Sequence, residues 1–139
     1  MSTYGLAPKL PLVYTEGTGP YVMMKEYVDV VKQNMKMLVL TSPGERIMIP
    51  EYGVGLRRVI FEQDTPDLRV ALRSRITSQI SRYMSYVVLQ DLNIISSLDQ
   101  SELPDNYMRI NIDYFVPSLN RAFRLEVTGD RIQKTIKVT

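Results

Sequence analysis

Carboxylates, arginines and tyrosines are the side chains on which this sequence could build chemistry, because the commoner catalytic groups are missing. The 139 residues contain no cysteine and no histidine. Thiol nucleophiles, zinc and iron–sulfur centres, haem ligation and the Ser-His-Asp and Cys-His arrangements are excluded with them. For acid–base work a carboxylate pair remains, and Glu45, Glu51 and Glu62 are the candidates by position. Glycoside hydrolysis needs two carboxyls about 5 to 10 Å apart, one of them kept protonated. Each of the three has arginine or another polar residue beside it, unlike the apolar setting a general acid requires. Gly44, Gly53 and Gly55 do not match a phosphate-loop spacing, and no Gly-Lys-Ser/Thr sequence is present. No catalytic residue, cofactor or metal site is therefore expected.

The arginines raise a second possibility. Arg69, Arg73, Arg75 and Arg82, with nine tyrosines in the chain, could serve a nucleic-acid surface. Such surfaces gather positive charge on one face. Here the arginines straddle an apolar stripe, so they read as a solvated helix flank covering the core edge. A net charge of +2 marks the chain for neither nucleic acid nor a membrane surface. The first twenty residues lack a basic start and a continuous apolar run, so no signal peptide is expected. The apolar runs fall short of the roughly 20 residues that span a bilayer.

The elements that must position these groups follow from spacing. The first segment holds Gly5, Pro8, Pro11, Gly17, Gly19 and Pro20 and reads as an extended arm over 1–22. From Met24 to Leu38 the apolar residues Met24, Val28, Val31, Met35 and Leu38 recur at three and four, one helix face. Residues 44–56 (GERIMIPEYGVGL) form a tight loop broken by Gly44, Pro50, Gly53 and Gly55, in which Ile47, Met48 and Ile49 are expected to seek burial. Arg46 and Glu51 are expected to pair there or to satisfy loop carbonyls. Leu56 to Phe61 make a short apolar helical turn.

A second helix starts with Thr65 as N-cap, Pro66 at its first position and Asp67 complementing the dipole. Its core stripe runs Leu68, Leu72, Ile76, Ile80, Tyr83 and Val87. The period then falls to two. Residues 87–95, 108–116 and 122–127 read as strands of an antiparallel meander, the last two joined through Pro117–Asn120. In the final RIQKTIKVT, Ile132, Ile136 and Val138 share one face of a β-capable segment with no later partner. The fold class is α+β: two main helices on a meander of about three strands, a single domain over 23–129. Extended arms occupy 1–22 and 130–139.

Residues 41–83 carry a resemblance. Thr41, Gly44, Arg46, Pro50, Glu51, Tyr52, Gly53 and Leu56, then Phe61-Glu62 and Thr65-Pro66, stand in the order found in the baseplate wedge family of contractile phage tails. That family has relatives in type VI secretion baseplates, and some members carry a lysozyme-like label. The likeness extends over about residues 25–127. It implies a non-catalytic structural subunit of the virion tail baseplate, assembled in the host cytoplasm in multiple copies around the tail axis. Its implied partners are other wedge proteins, tail sheath subunits, and tube or hub proteins, with no nucleic acid and no membrane. The implied role is to anchor and initiate the sheath, with strand addition to sheath subunits supplied by the C-terminal arm. The competing readings are an interior wedge component without sheath contact and a lysozyme-like glycoside hydrolase.

The sequence departs from the family in one place. Members commonly follow the aromatic at position 83 with Glu-Pro-Arg, which docks the wedge neighbours; here Met84, Ser85 and Tyr86 follow Tyr83. An apolar substitute built on Met84 and Tyr86 is the expected replacement. The expected partner-binding residues are Arg46, Glu51, Tyr52, Tyr83, Met84, Tyr86, Ile132, Ile136 and Val138.

Overall fold

A computed structural model describes residues 5–16, 19–97, 99–100, 107–130 and 135–138. They fall into two compact units, 1–35 and 36–139, whose boundary lies inside a helix.

In the first unit the N-terminal segment does not run out as a single extended arm. Strand β1 (Ala7–Pro8) pairs antiparallel with β2 (Met23–Met24), and Tyr14 bridges to Tyr21. The reason is backbone demand: a lone extended chain leaves its donors to water, whereas a returning one satisfies them internally. Leu6 N donates to Met24 O at 2.8 Å and Lys9 N to Val22 O at 2.9 Å. Met24 therefore belongs to β2, not to the helix stripe in which its spacing placed it. Helix α1 (Tyr27–Leu40) starts three residues later, with Asp29 complementing its first turn. Val31, Met35 and Leu38 are buried, as the three-and-four spacing predicts.

In the second unit the end of α1 leads through a loop to the short α2 (Leu56–Val59) and then to α3 (Pro66–Tyr83). Thr65 caps α3 by accepting a hydrogen bond from Leu68 N at 3.2 Å. Leu72, Ile76 and Ile80 are buried along it. Strands β3 (Val88–Ser96), β4 (Tyr107–Val116), β5 (Arg121–Asp130) and β6 (Thr135–Val138) form one antiparallel sheet in that order. Every second residue of β4 from Met108 to Val116 is buried. Register lines these up across the sheet, with Leu92, Ile112 and Leu125 in one row and Ile94, Ile110, Val127 and Val138 in the next. The other face of β4 and β5 carries ion pairs, Arg124 with Asp113 at 2.6 Å and Arg109 with Glu126 at 3.2 Å. Ile60, just past α2, sits over Gly129 of β5; a Cβ added at Gly129 would lie 2.2 Å from the Ile60 Cγ2. The close approach of α2 to the sheet thus needs glycine there.

Two expectations change here. The C-terminal segment was expected to lack a partner, but β6 pairs with the end of β5 within the same chain. Val138 lies opposite Val127, Lys137 opposite Thr128 and Ile136 opposite Gly129. A connection of four residues is ample for an antiparallel return, so the partner lies earlier in the chain, not later. The α3 arginines are not free solubilising flanks either. Arg69 bonds Asp64 and Asp99, Arg73 donates to Leu92 O at 2.9 Å, and Arg75 reaches Val54 O at 3.4 Å. They brace α3 to its surroundings. No described helix is long and apolar enough to cross a membrane, and no described cluster of acidic residues could hold a metal.

Candidate assembly interface

The loop after α1 is fixed at its base by the backbone. Thr41 N and its hydroxyl both donate to Met37 O, finishing α1, and Thr41 O then accepts from Gly55 N at 2.9 Å. Val54 N donates to Leu38 O at 3.0 Å. Gly44 N closes residues 44–50 by donating to Pro50 O at 2.8 Å. Ser42 N donates to the Glu45 carboxylate and Glu45 N returns a bond to Ser42 O. At the crossing point Gly53 has φ +109°, and a Cβ there would lie 2.1 Å from Thr41 O. Only glycine fits.

Side chains clamp this loop to the C-terminal half of α3. Gln79 uses both ends of its amide, accepting from Gly53 N at 2.9 Å and donating to Glu51 O at 3.0 Å. Arg82 holds the Glu51 carboxylate at 2.6 Å. The Arg46 guanidinium stacks 3.8 Å from the centre of the Tyr52 ring. Tyr52 in turn meets Tyr83 edge-on at 5.0 Å. Burial pushes the Tyr52 phenol above its ordinary value, with the Arg46 charge acting the other way.

Arg46, Glu51, Tyr52 and Tyr83 are thus brought together, but their best geometry is spent on one another and on Arg82. Arg46 and Glu51 do not pair, since each finds a partner nearer α3. Met84 is only 3% exposed and belongs to the core, so it cannot serve as the apolar substitute expected at this point. Its backbone explains this: Met84 N still bonds Ile80 O, so its side chain continues the buried stripe of α3. Tyr86 is exposed. Ile136 and Val138 lie in β6, and Ile132 lies outside the described residues.

The residues that the sequence misplaced are the most telling. Ile47 and Met48 are 94% and 91% exposed, and Ile49 is exposed as well. A loop of seven residues closed at Gly44 and Pro50 has no interior, so its tip must point outward. The signal was present in the sequence: three consecutive apolar residues bracketed by Gly and Pro cannot all reach a core. A rigid base thus carries a bare apolar tip, an arrangement suited to protein contact.

The acidic residues give no comparable constellation. Glu51 is turned onto Arg82, Glu45 onto the Ser42 amide, and Glu62 toward Arg58 at 3.8 Å, all three exposed. The groove of about 330 Å³ between α2 and α3 contains Glu62 but neither of the other two.

A search of curated proteins found no match. Among solved structures, a Geobacter sulfurreducens protein provisionally described as a tail lysozyme matches with a TM-score of 0.60 and 19% identity, over 77% of this chain and 93% of its own. That likeness concerns the fold. A chain of the anti-feeding prophage baseplate matches with a TM-score of 0.61 and 31% identity, over 77% of this chain and 81% of its own. The sequence profile of the family described as baseplate wedge protein gp25 matches residues 25–120. That span takes in α1, the clamped loop, α2, α3 and strands β3 and β4, stopping short of β5 and β6, and the chain belongs to this family as a structural component of a contractile-tail baseplate.

Proposed function

We propose that the protein is a non-catalytic wedge subunit that seats the first sheath ring, offering the β6 edge of its sheet for strand addition. The observation that carries this reading is the stepped edge formed by β5 and β6. Among the described residues β6 covers only Val127–Asp130, and no strand pairs with that side of β5 over Arg121–Glu126. An open edge is a template for another chain, with main-chain hydrogen bonds giving affinity and alternate side chains giving register. The C-terminal segment acts as the docking edge of a formed sheet, not as an arm that becomes ordered only on binding. The Ile47–Met48–Ile49 tip, with Tyr86, meets neighbouring wedge proteins. In a ring of copies around the tail each copy repeats these contacts.

Deleting residues 135–139 tests the reading. The rows of β3, β4 and β5 remain, so the truncated protein should fold and enter baseplates while sheath polymerisation on them stops. Proline at 136 and at 137 refines the test, because successive amides of an edge strand point alternately inward and outward. One of the two should keep the fold and still block the sheath. Normal sheathed tails from the truncated protein would refute sheath initiation by this edge. The non-catalytic part has its own check: purified protein should leave peptidoglycan intact, and cleavage that disappears in Glu51→Gln would overturn it.

A further inference from the structure

We infer that the apolar ribbon formed by residues 5–16 and 19–24 is a second docking element, one that inserts with both faces covered into an uncharged apolar cleft of a different baseplate protein. The inference rests on the assembly reading above, and concerns a part of the chain that the family profile leaves out, since that match begins at residue 25. Between Gly5 and Met24 the only charged residues are Lys9 and Glu16. Yet the ribbon is bare: Leu12, Val13 and Tyr14 are 54%, 55% and 70% exposed, and Leu6, Tyr21 and Val22 are exposed too. The exposed apolar side chains of this unit present on the order of 800 Å², what one partner brings to a standard interface.

The ribbon is organised in advance. The β1–β2 pairing and the Tyr14–Tyr21 bridge hold its two limbs together. Gln33 of α1 clips it from the side, its Oε1 accepting from Leu10 N at 2.9 Å and its Nε2 donating to Pro8 O at 3.1 Å. A pre-formed ribbon loses little entropy on binding. The shape of the partner follows from parity. In extended chain successive side chains point to opposite faces, and Val13 and Tyr14 are both exposed, as are Tyr21 and Val22. One flat surface can cover only half of them. A cleft, or two elements closing on the ribbon, covers all.

Charge selects the partner's chemistry. A ribbon with one cation and one anion has nothing to offer nucleic acid or an anionic lipid surface, both of which recruit clustered lysine and arginine. An uncharged apolar protein cleft leaves no charge unpaired. A second copy of this chain is disfavoured by symmetry. Copies arranged in a ring about an axis meet head to tail, so identical ribbons do not face each other.

The test uses the full chain in assembled baseplates. Val13 and Tyr14 are replaced, one at a time, by the photo-crosslinker p-benzoylphenylalanine. Both positions should yield adducts to one and the same non-identical baseplate protein, in an apolar segment poor in charge. Adducts to a second copy, adducts from one face only, or labelling of both positions by solvent radicals as strong in the particle as in the free chain would overturn the inference. The Leu12→Asp/Val13→Asp variant should melt like the wild type and enter baseplates at least about tenfold less. If that variant unfolds, Val13→Ser/Tyr14→Ser is read in the same way, and normal incorporation overturns the inference. Sedimentation of the free chain with vesicles of phosphatidylcholine and phosphatidylglycerol in equal amounts should leave it in the supernatant; co-sedimentation would place the ribbon on lipid and overturn the proposal. Failure of the sheath reading looks different, since it leaves incorporation and both sets of adducts intact and changes only sheath growth.

Discussion

Replacing Gly53 by alanine should damage this protein more than any other single-methyl addition in the 44–55 loop. Two costs combine. At φ +109° an L-residue is strained by about 1–2 kcal/mol. The new Cβ would also lie 2.1 Å from Thr41 O, a backbone atom that cannot rotate away. Relieving that contact moves Thr41 O away from Gly55 N, and with it the neighbouring bonds from Val54 N to Leu38 O and from Gly53 N to Gln79. Each bond lost costs about 1 kcal/mol. The sum is about 3–5 kcal/mol, a large share of the roughly 5–15 kcal/mol that keeps a domain folded. Gly44→Ala is the internal control. Its φ is +92°, but a Cβ there meets nothing within 4 Å, so only the strain of about 1–2 kcal/mol applies. Urea unfolding followed by circular dichroism measures both. With a slope of about 2 kcal/mol/M, Gly53→Ala should lower the midpoint by about 1.5–2.5 M and Gly44→Ala by about 0.5–1 M. Equal midpoints for the two variants would refute the claim that the Gly53–Thr41 contact locks the loop.

Other outcomes follow from the packing. Ile80→Ala should cost about 2–5 kcal/mol in the same assay, whereas Arg75→Ala, which loses one long hydrogen bond, should cost less than about 1 kcal/mol. Arg69→Ala should cost about 1–3 kcal/mol, because it removes the charged hydrogen bonds that the guanidinium makes to Asp64, whose side chain is only 8% exposed, and to Asp99; Arg69→Lys should recover only part, lacking the two-sided fork. The carboxyls of Asp99 and Asp113 are held below their ordinary value by hydrogen bonds from Arg69 and Arg124. Their stabilisation is complete above the unfolded value of 3.8 and is lost as pH falls through the lowered folded values, so melting temperature should drop below about pH 4. Asp99→Asn/Asp113→Asn should flatten that acid limb, and an unchanged limb would show that these pairs do not link stability to pH. Met48→Ser should leave stability unchanged and weaken incorporation into baseplates, a result read by comparing melting curves with particle composition.

The regular elements were legible because their signals are local. Thr65-Pro66-Asp67 announces α3 by capping chemistry alone, and the alternation from Met108 to Val116 becomes a strand with every second residue buried. What stayed hidden depends on pairing at a distance. Nothing in RIQKTIKVT says that its partner is Val127–Asp130, because an alternating strand reads the same whether it pairs within the chain or outside it. Met24 kept the helix spacing by chance, and the β-pairing of its neighbours overrode it. The same holds at the candidate interface. Arg46, Glu51, Tyr52 and Tyr83 lie together, yet which of them touch is decided by Gln79 and Arg82, 26 and 31 residues away from Gly53 and Glu51. Ile47 and Met48 were read as core because apolar side chains usually are; the loop's closure at Gly44 and Pro50 turned them outward instead.

That closure also links the two proposed contact elements of the second unit. The apolar tip at 47–49 stands on a base clamped to α3 through Gln79 and Arg82. Residues 53–56 run directly into α2, whose following residue, Ile60, seats on Gly129 of β5. β5 then carries β6 through the pairing of Gly129 with Ile136 and Val127 with Val138. Each link is a hydrogen bond, an ion pair or a close-packed contact, and of these the Arg82–Glu51 pair is exposed to solvent. Packed interiors do not deform gradually. A neighbour that grips the tip therefore also fixes the direction of the β6 edge, without any conformational change. The sheath-seating role proposed above requires that fixed orientation of its edge strand.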